Sequence, residues 1–162
     1  MKDFIKKFNS KIDIDYEARK FSYNLINNIS LKTKLEIGRL RITKISTIIN
    51  SNMTCRGEVN LLEEFPILAF NCSLISPDKK KFLKKLDINY KTKNEPFNLS
   101  LRGKLNILKN KVNFDYIKMN NHQVSAEDLK FYKNIFENSF FEKNLFINFN
   151  KENIKEFILE IS

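Results

Sequence analysis

Large apolar residues fall at alternate positions along most of the chain before residue 120. In KIDIDYE, Lys11 to Glu17, Ile12, Ile14 and Tyr16 share one side while Asp13, Asp15 and Glu17 share the other. That period of two predicts a strand with one face turned to a core. Phe21, Tyr23 and Leu25 keep the rhythm, as do Ile29, Leu31, Leu35 and Ile37. The phase changes at Gly38, before Leu40 and Ile42; a tight turn at Gly38-Arg39 or a bulge at Gly38 would each produce this. Asn50-Ser51-Asn52 predicts another turn. FPILAFNCSLI, Phe65 to Ile75, is a continuous apolar run, expected to be buried on both faces with Pro66 opening the strand.

Ser76-Pro77-Asp78 reads as a helix start, with a capping hydroxyl, proline at the first helical position and an acid in the first turn. The helix, near 77–86, would place Phe82, Leu83 and Leu86 inward and surround them with Lys79, Lys80, Lys81, Lys84 and Lys85, which read as a solvated outer face. Beyond Asn94-Glu95-Pro96, the residues Phe97, Leu99, Leu101, Leu105 and Ile107 share a face, a strand of roughly 36 Å. Such a strand is long for a globular domain. A two-residue turn at Lys109-Asn110 would set Ile107 against Val112 and Leu105 against Phe114. After Asp115 the phase slips to Ile117 and Met119, which predicts a bulge. The pattern then becomes helical. Ser125 caps a helix with Glu127 and Asp128 in its first turn and Leu129, Tyr132, Ile135, Phe136 and Phe140 on one side. A second helix is expected from about Asn150, with Ile154, Phe157, Ile158 and Ile161 inward.

The fold class that follows is mainly β with C-terminal α-helices. A long antiparallel sheet would occupy 1–124, with a short middle helix, and a helical cap would occupy 125–162. Strands and helices do not alternate, which argues against a parallel α/β fold.

Composition sharpens this reading in three places. Only 3 Gly and 3 Pro occur among 162 residues, so Asn must supply many turns. The net charge of +10 admits nucleic acid or anionic lipid as partners, but Lys, Asn, Ile and Phe are together abundant, as A- and T-rich codons produce. Arg19, Arg39, Arg41, Arg56 and Arg102 alone offer guanidinium forks. A basic nucleic-acid-binding β-domain ranks as an alternative below an apolar function, because the aromatics share a face with Leu and Ile rather than with Lys. Two cysteines, Cys55 and Cys72, are too few for a disulfide framework. They would pair only if adjacent strands joined them, and read first as buried thiols.

No enzyme is expected. His122, the one histidine, stands beside Asn120 and Asn121 without a nucleophile or orienting carboxylate near it in sequence. Cys55, Cys72 and His122 match no usual zinc spacing, and Gly38, Gly57 and Gly103 make no phosphate loop. No metal or cofactor is implied. Asp13 and Asp15 face outward and read as blunting a sheet edge. No apolar run is long enough for a membrane-spanning helix, and MKDFIKKFNSKIDID does not read as a signal peptide.

GKLNILKNKVNFDYIKMNN, Gly103 to Asn121, followed by EDLKFYKNIFEN, Glu127 to Asn138, resembles the C-terminal end of AsmA-like envelope proteins from A+T-rich alphaproteobacteria. The likeness covers the last third to half of the chain. It implies a curved β-groove with an apolar inside, on the periplasmic side of the inner membrane, that carries phospholipid acyl chains toward the outer membrane. It also implies an N-terminal membrane anchor and much greater length, so the chain is expected to be a fragment lacking that anchor. The residues expected to line the groove are Ile12, Ile14, Tyr16, Phe97, Leu99, Leu101, Leu105, Ile107, Val112 and Phe114. The alternative for each is an ordinary closed core, which would make the chain a structural module without ligand.

Overall fold

The computed structural model describes residues 2–17, 26–48, 50–89, 91, 93–120, 122–141 and 155–159. Helix α1 (Lys2–Lys7) leads into a meander of β1 (Ser10–Glu17), β2 (Ile26–Glu36), β3 (Arg39–Ile48), β4 (Ser51–Asn60) and β5 (Ile67–Ser76). Helix α2 (Lys79–Lys85) separates these from β6 (Phe97–Asn106), β7 (Lys111–Met119) and β8 (His122–Gln123), and α3 (Ala126–Phe141) follows. A helical turn spans 155–159. The strands form one open, curved antiparallel sheet in the order β1 to β8. The fold class read from the sequence is therefore the observed one. The expected strand around Phe21, Tyr23 and Leu25 lies outside the described residues, as do Ile154 and Ile161.

Register keeps one set of side chains on one face across seven strands. Ile12 pairs with Thr33, Thr33 with Ile42, Ile42 with Gly57, Gly57 with Phe70, Phe70 with Gly103 and Gly103 with Phe114. Directly opposed residues point to the same side, so this row and its neighbours two residues away build a single apolar face. The register slips once between β6 and β7, where Arg102 faces Tyr116 and Gly103 faces Phe114. Asp115 is the extra residue, and the expected bulge sits there. Without it, Ile117 and Met119 would turn outward. Phe70 lies over Gly103, where an added Cβ would come within 2.9 Å of its ring and 3.2 Å of the Phe114 Cα. The small residue thus lets Phe70 and Phe114 meet edge to face at 6.2 Å.

Several local expectations are corrected. Of the two alternatives open at Gly38 the turn is the observed one, one residue earlier than Gly38-Arg39: Glu36 pairs with Arg39, leaving Ile37 (φ 47°) and Gly38 (φ 75°) as a two-residue loop. Positive φ at both positions matches the right-handed twist of the flanking strands. The Lys109-Asn110 hairpin is wider than a two-residue loop. Asn106 pairs with Lys111, and the loop holds residues 107–110 with Asn110 left-handed (φ 52°). Leu105 therefore faces Val112, and Ile107 leaves the strand. The cap of α2 is Asp78 rather than Ser76; its carboxylate accepts from the Lys81 N–H at 2.7 Å. The run Phe65–Ile75 is not buried on both faces, since no layer covers the side carrying Ile67 and Ile75, which are exposed. Helix α1, unforeseen, opens the chain. Asn50 and Asn120 also take positive φ, in line with the turn role expected of asparagine.

The core gathers at one end of the apolar face. Ile48, Leu74, Phe97, Leu99 and Ile117 from the sheet meet Phe82, Leu83, Leu86 and Ile88 around α2 and Phe157 and Ile158 of the last helical turn. Helix α3 packs on β7, with Phe136 edge-on to Phe114 at 5.7 Å and to Phe157 at 5.6 Å. Its start is the Ser125 cap read from the sequence: the Asp128 N–H donates to Ser125 Oγ at 3.1 Å, and that hydroxyl donates to the Asp128 carboxylate at 2.7 Å. The same helix seals the β7 edge. The buried Glu137 carboxylate accepts from the Val112 N–H and from Lys111 Nζ, both at 2.8 Å.

Two stability changes follow. Glu137→Ala strips the Val112 N–H of its acceptor and should lower unfolding free energy by about 2 kcal/mol in urea denaturation, with Glu137→Gln recovering part of the loss. Ile37 is 64% exposed and β-branched at positive φ. Ile37→Asn removes that conflict at little loss of packing and should raise the urea midpoint, by about 1 kcal/mol of stability.

Candidate binding face

Exposure across the apolar face runs in a gradient. At β1, Ile12, Ile14 and Tyr16 are 53%, 52% and 50% exposed. On β2 and β3, Ile29, Leu31, Leu35, Leu40 and Ile42 are half-buried. At β6 and β7, Phe97, Leu99 and Val112 are 1%, 6% and 0% exposed. The helices α2 and α3 and the last helical turn cover β5–β7 and reach Ile48 of β3 and Met53 of β4 at one end of the strands, because α3 follows the two-residue β8 and α2 is tethered between β5 and β6. Nothing among the described residues reaches over β1 and β2, and apolar surface there stays in contact with solvent.

The expected groove residues accordingly divide into three groups. Ile12, Ile14 and Tyr16 form a free stripe. Phe97 and Leu99 belong to the closed core, Leu101 and Phe114 are partly buried against it, and Val112 is fully buried outside that cluster, where Glu137 holds its N–H. Leu105 is half-buried opposite Val112. Ile107 sits in the loop, where its N–H donates to the Pro66 carbonyl at 3.4 Å, and is no part of the face. The open end instead includes Ile29, Leu31, Leu35, Leu40 and Ile42. Their alternation was visible, but which strands would lie beyond reach of the helices was not.

The opposite face is charged and largely self-paired. Arg41 lies 3.2 Å from Glu58 and 3.7 Å from Glu36, Arg39 lies 3.9 Å from Glu58, and Arg102 lies 3.5 Å from Asp115. Lys34 beside Glu36, and more weakly Arg41, hold that carboxyl below the usual carboxylate range. A shallow depression of about 580 Å³ near β1–β3 is lined mainly by polar-face groups, including Asp15, Glu17, Asn28 and Thr47. Four of the five arginines are described; three of these sit in ion pairs, and Phe70, Phe97 and Phe114 point the other way, while Tyr116, opposite Arg102, shares the polar face with Lys118 5.1 Å from its ring.

The cysteines do not remain thiols. Cys55 and Cys72 are directly opposed on β4 and β5, with Cα atoms 4.1 Å apart, and form a disulfide. So close an approach is that of a non-hydrogen-bonded pair, the antiparallel position at which side chains come nearest. The expectation of free thiols fails because register, invisible in the sequence, places the two in line. The bond lies half-buried on the apolar face, between the Lys44 and Leu101 positions. It also removes both sulfurs from any ligand set with His122, which stands exposed on β8.

No known protein family, curated protein or solved structure matches the chain. The disulfide closes a loop with a sequence separation of 17. Reduction, or Cys55→Ser with Cys72→Ser, should lower unfolding free energy by about 3 kcal/mol, read from denaturation midpoints with and without reductant.

Proposed function

We propose that this chain is a non-enzymatic lipid-handling element, and that the uncovered β1–β3 part of its apolar face receives acyl chains. The observation that carries this reading is the contiguous solvent-facing stripe of Ile12, Ile14 and Tyr16, continued by Ile29, Leu31, Leu35, Leu40 and Ile42. Contiguous exposed apolar surface of this kind marks a site of interaction. Acyl chains suit it because the face crosses several long strands and presents mainly Ile and Leu side chains there. Each CH₂ taken from water contributes about 0.8 kcal/mol.

The resemblance to AsmA-like proteins supplies the setting of the proposal: a periplasmic β-groove passing phospholipid toward the outer membrane. The disulfide supports that setting, since such bonds persist in oxidising compartments such as the periplasm. The curved open sheet supports it too, as one unit of a longer groove. The structural-module reading keeps the β5–β7 end, where protein already fills the face. Nucleic acid is disfavoured by the paired arginines of the polar face and by its phenylalanines being directed into the apolar one, which leaves Tyr116 as the aromatic of the described strands on the basic side.

Mass spectrometry of solvent extracts from the purified chain tests the proposal. Phospholipid is expected to co-purify, and phosphatidylethanolamine–phosphatidylglycerol vesicles should reload stripped protein. Ile12→Thr with Ile14→Thr keeps strand propensity while making the stripe polar, and should reduce bound lipid several-fold at unchanged far-UV circular dichroism. Protein that carries no lipid and takes none from vesicles would overturn the assignment.

A further inference from the structure

The apolar face carries one charged side chain among its described positions. Lys44 follows Leu40 and Ile42 along β3, opposite Leu31 of β2 and Cys55 of β4. It is half-buried, and no carboxylate approaches its ammonium within 4.0 Å among the described residues. The polar face shows the contrast, because Lys34, Arg39 and Arg41 there share Glu36 and Glu58. An ammonium among Leu and Ile side chains gives up hydration without gaining a counter-ion.

A second observation lies two residues further along the same strand and face. Ser46 is 1% exposed, and its Oγ has no hydrogen-bond partner among the described residues. A buried hydroxyl without a partner is uncommon in folded proteins and calls for an explanation. Ser46 stands next to Ile48, at the margin of the closed core, whereas Lys44 stands just outside it. The boundary between covered and open face therefore holds one unpaired cation and two hydroxyls without a partner among the described residues, Ser46 and, opposite Ile48 on β4, the buried Ser51. From there toward β1 the face is apolar, through Leu31 and Ile29 to Ile14 and Tyr16.

We propose that Lys44, with Ser46 beside it, anchors the anionic headgroup of an amphiphile whose apolar chain lies across β2 and β1. A carboxylate or a phosphate satisfies both groups, since the ammonium and the hydroxyl each donate to an oxyanion. The inference rests on the lipid reading above and adds to it a preference for negative charge at a fixed position.

Equilibrium dialysis of the full chain with palmitate and with hexadecanol, below their aggregation limits, separates chain from headgroup. The wild-type protein should bind palmitate roughly ten-fold more tightly than hexadecanol. Lys44→Met keeps the unbranched stem and removes the charge. It should lower palmitate affinity to that of hexadecanol, leave hexadecanol unchanged, and fold at least as stably; Lys44→Gln is the second variant. Equal wild-type affinities, or a preference that survives in both variants, overturn the inference while leaving the lipid reading intact. Binding of neither compound overturns both. Inorganic phosphate is the control for a free-anion site, and phosphate bound as tightly as palmitate overturns the amphiphile assignment.

Discussion

A seven-strand apolar face with covering helices at only one end is the constraint on which the rest of this molecule depends. Strand side chains alternate with a strict period of two, so every strand must keep parity with its neighbours or turn its apolar residues to solvent. The meander achieves this with short loops between β2, β3 and β4. Where parity would fail, on β7, one additional residue at Asp115 restores it. The bulge is thus a condition for the core, because Ile117 behind it is fully buried against α2, α3 and the last helical turn.

The two ends of the sheet meet opposite fates for reasons of chain order. Helix α3 emerges beside β7 and can fold back on it, carrying Glu137 to the Val112 N–H, a backbone donor beyond the reach of the two-residue β8. At the other end β1 is a free edge with acids on its outer face, Asp13 and Asp15, and apolar groups on its inner one. Lys11, 3.1 Å from Asp13, and the acids themselves discourage edge-to-edge pairing. They do nothing to shelter Ile12, Ile14 and Tyr16. The solvent-facing stripe is therefore a consequence of topology, and it is the feature from which a lipid-binding role is argued.

Chemistry on the face is sparse and localised. The disulfide locks the two central strands, and Lys44 and Ser46 stand beside it where the closed core gives way to open surface. A rigid centre with a polar anchor, flanked by an apolar slope, is an arrangement suited to holding an amphiphile in one orientation.

Much of this was legible in the residues. KIDIDYE, the long strand from Phe97, the slip after Asp115 and the Ser125 cap each carry a local signal with a local cause, and each appears where that signal lies. The β3 sequence RLRITKISTI shows the limit. Its apolar residues change parity between Ile42 and Ile45, so the sequence cannot say whether a bulge intervenes. The structure has none there: Ile45 is exposed on the polar face, and Lys44 falls on the apolar one. Helix α1, too short for a periodic signal, was missed for a related reason. The sequence by itself determined most of the strands, the helices at 79–85 and 126–141 and the approximate places of the turns, because those depend on neighbours a few residues away. Only the tertiary structure decided that Cys55 meets Cys72, that Phe97 and Val112 are sealed while Ile12 and Ile14 are not, and that Lys44 stands unpaired among apolar neighbours. Those outcomes depend on inter-strand register and on how far the C-terminal helices reach, and both arise from contacts between residues distant in the chain.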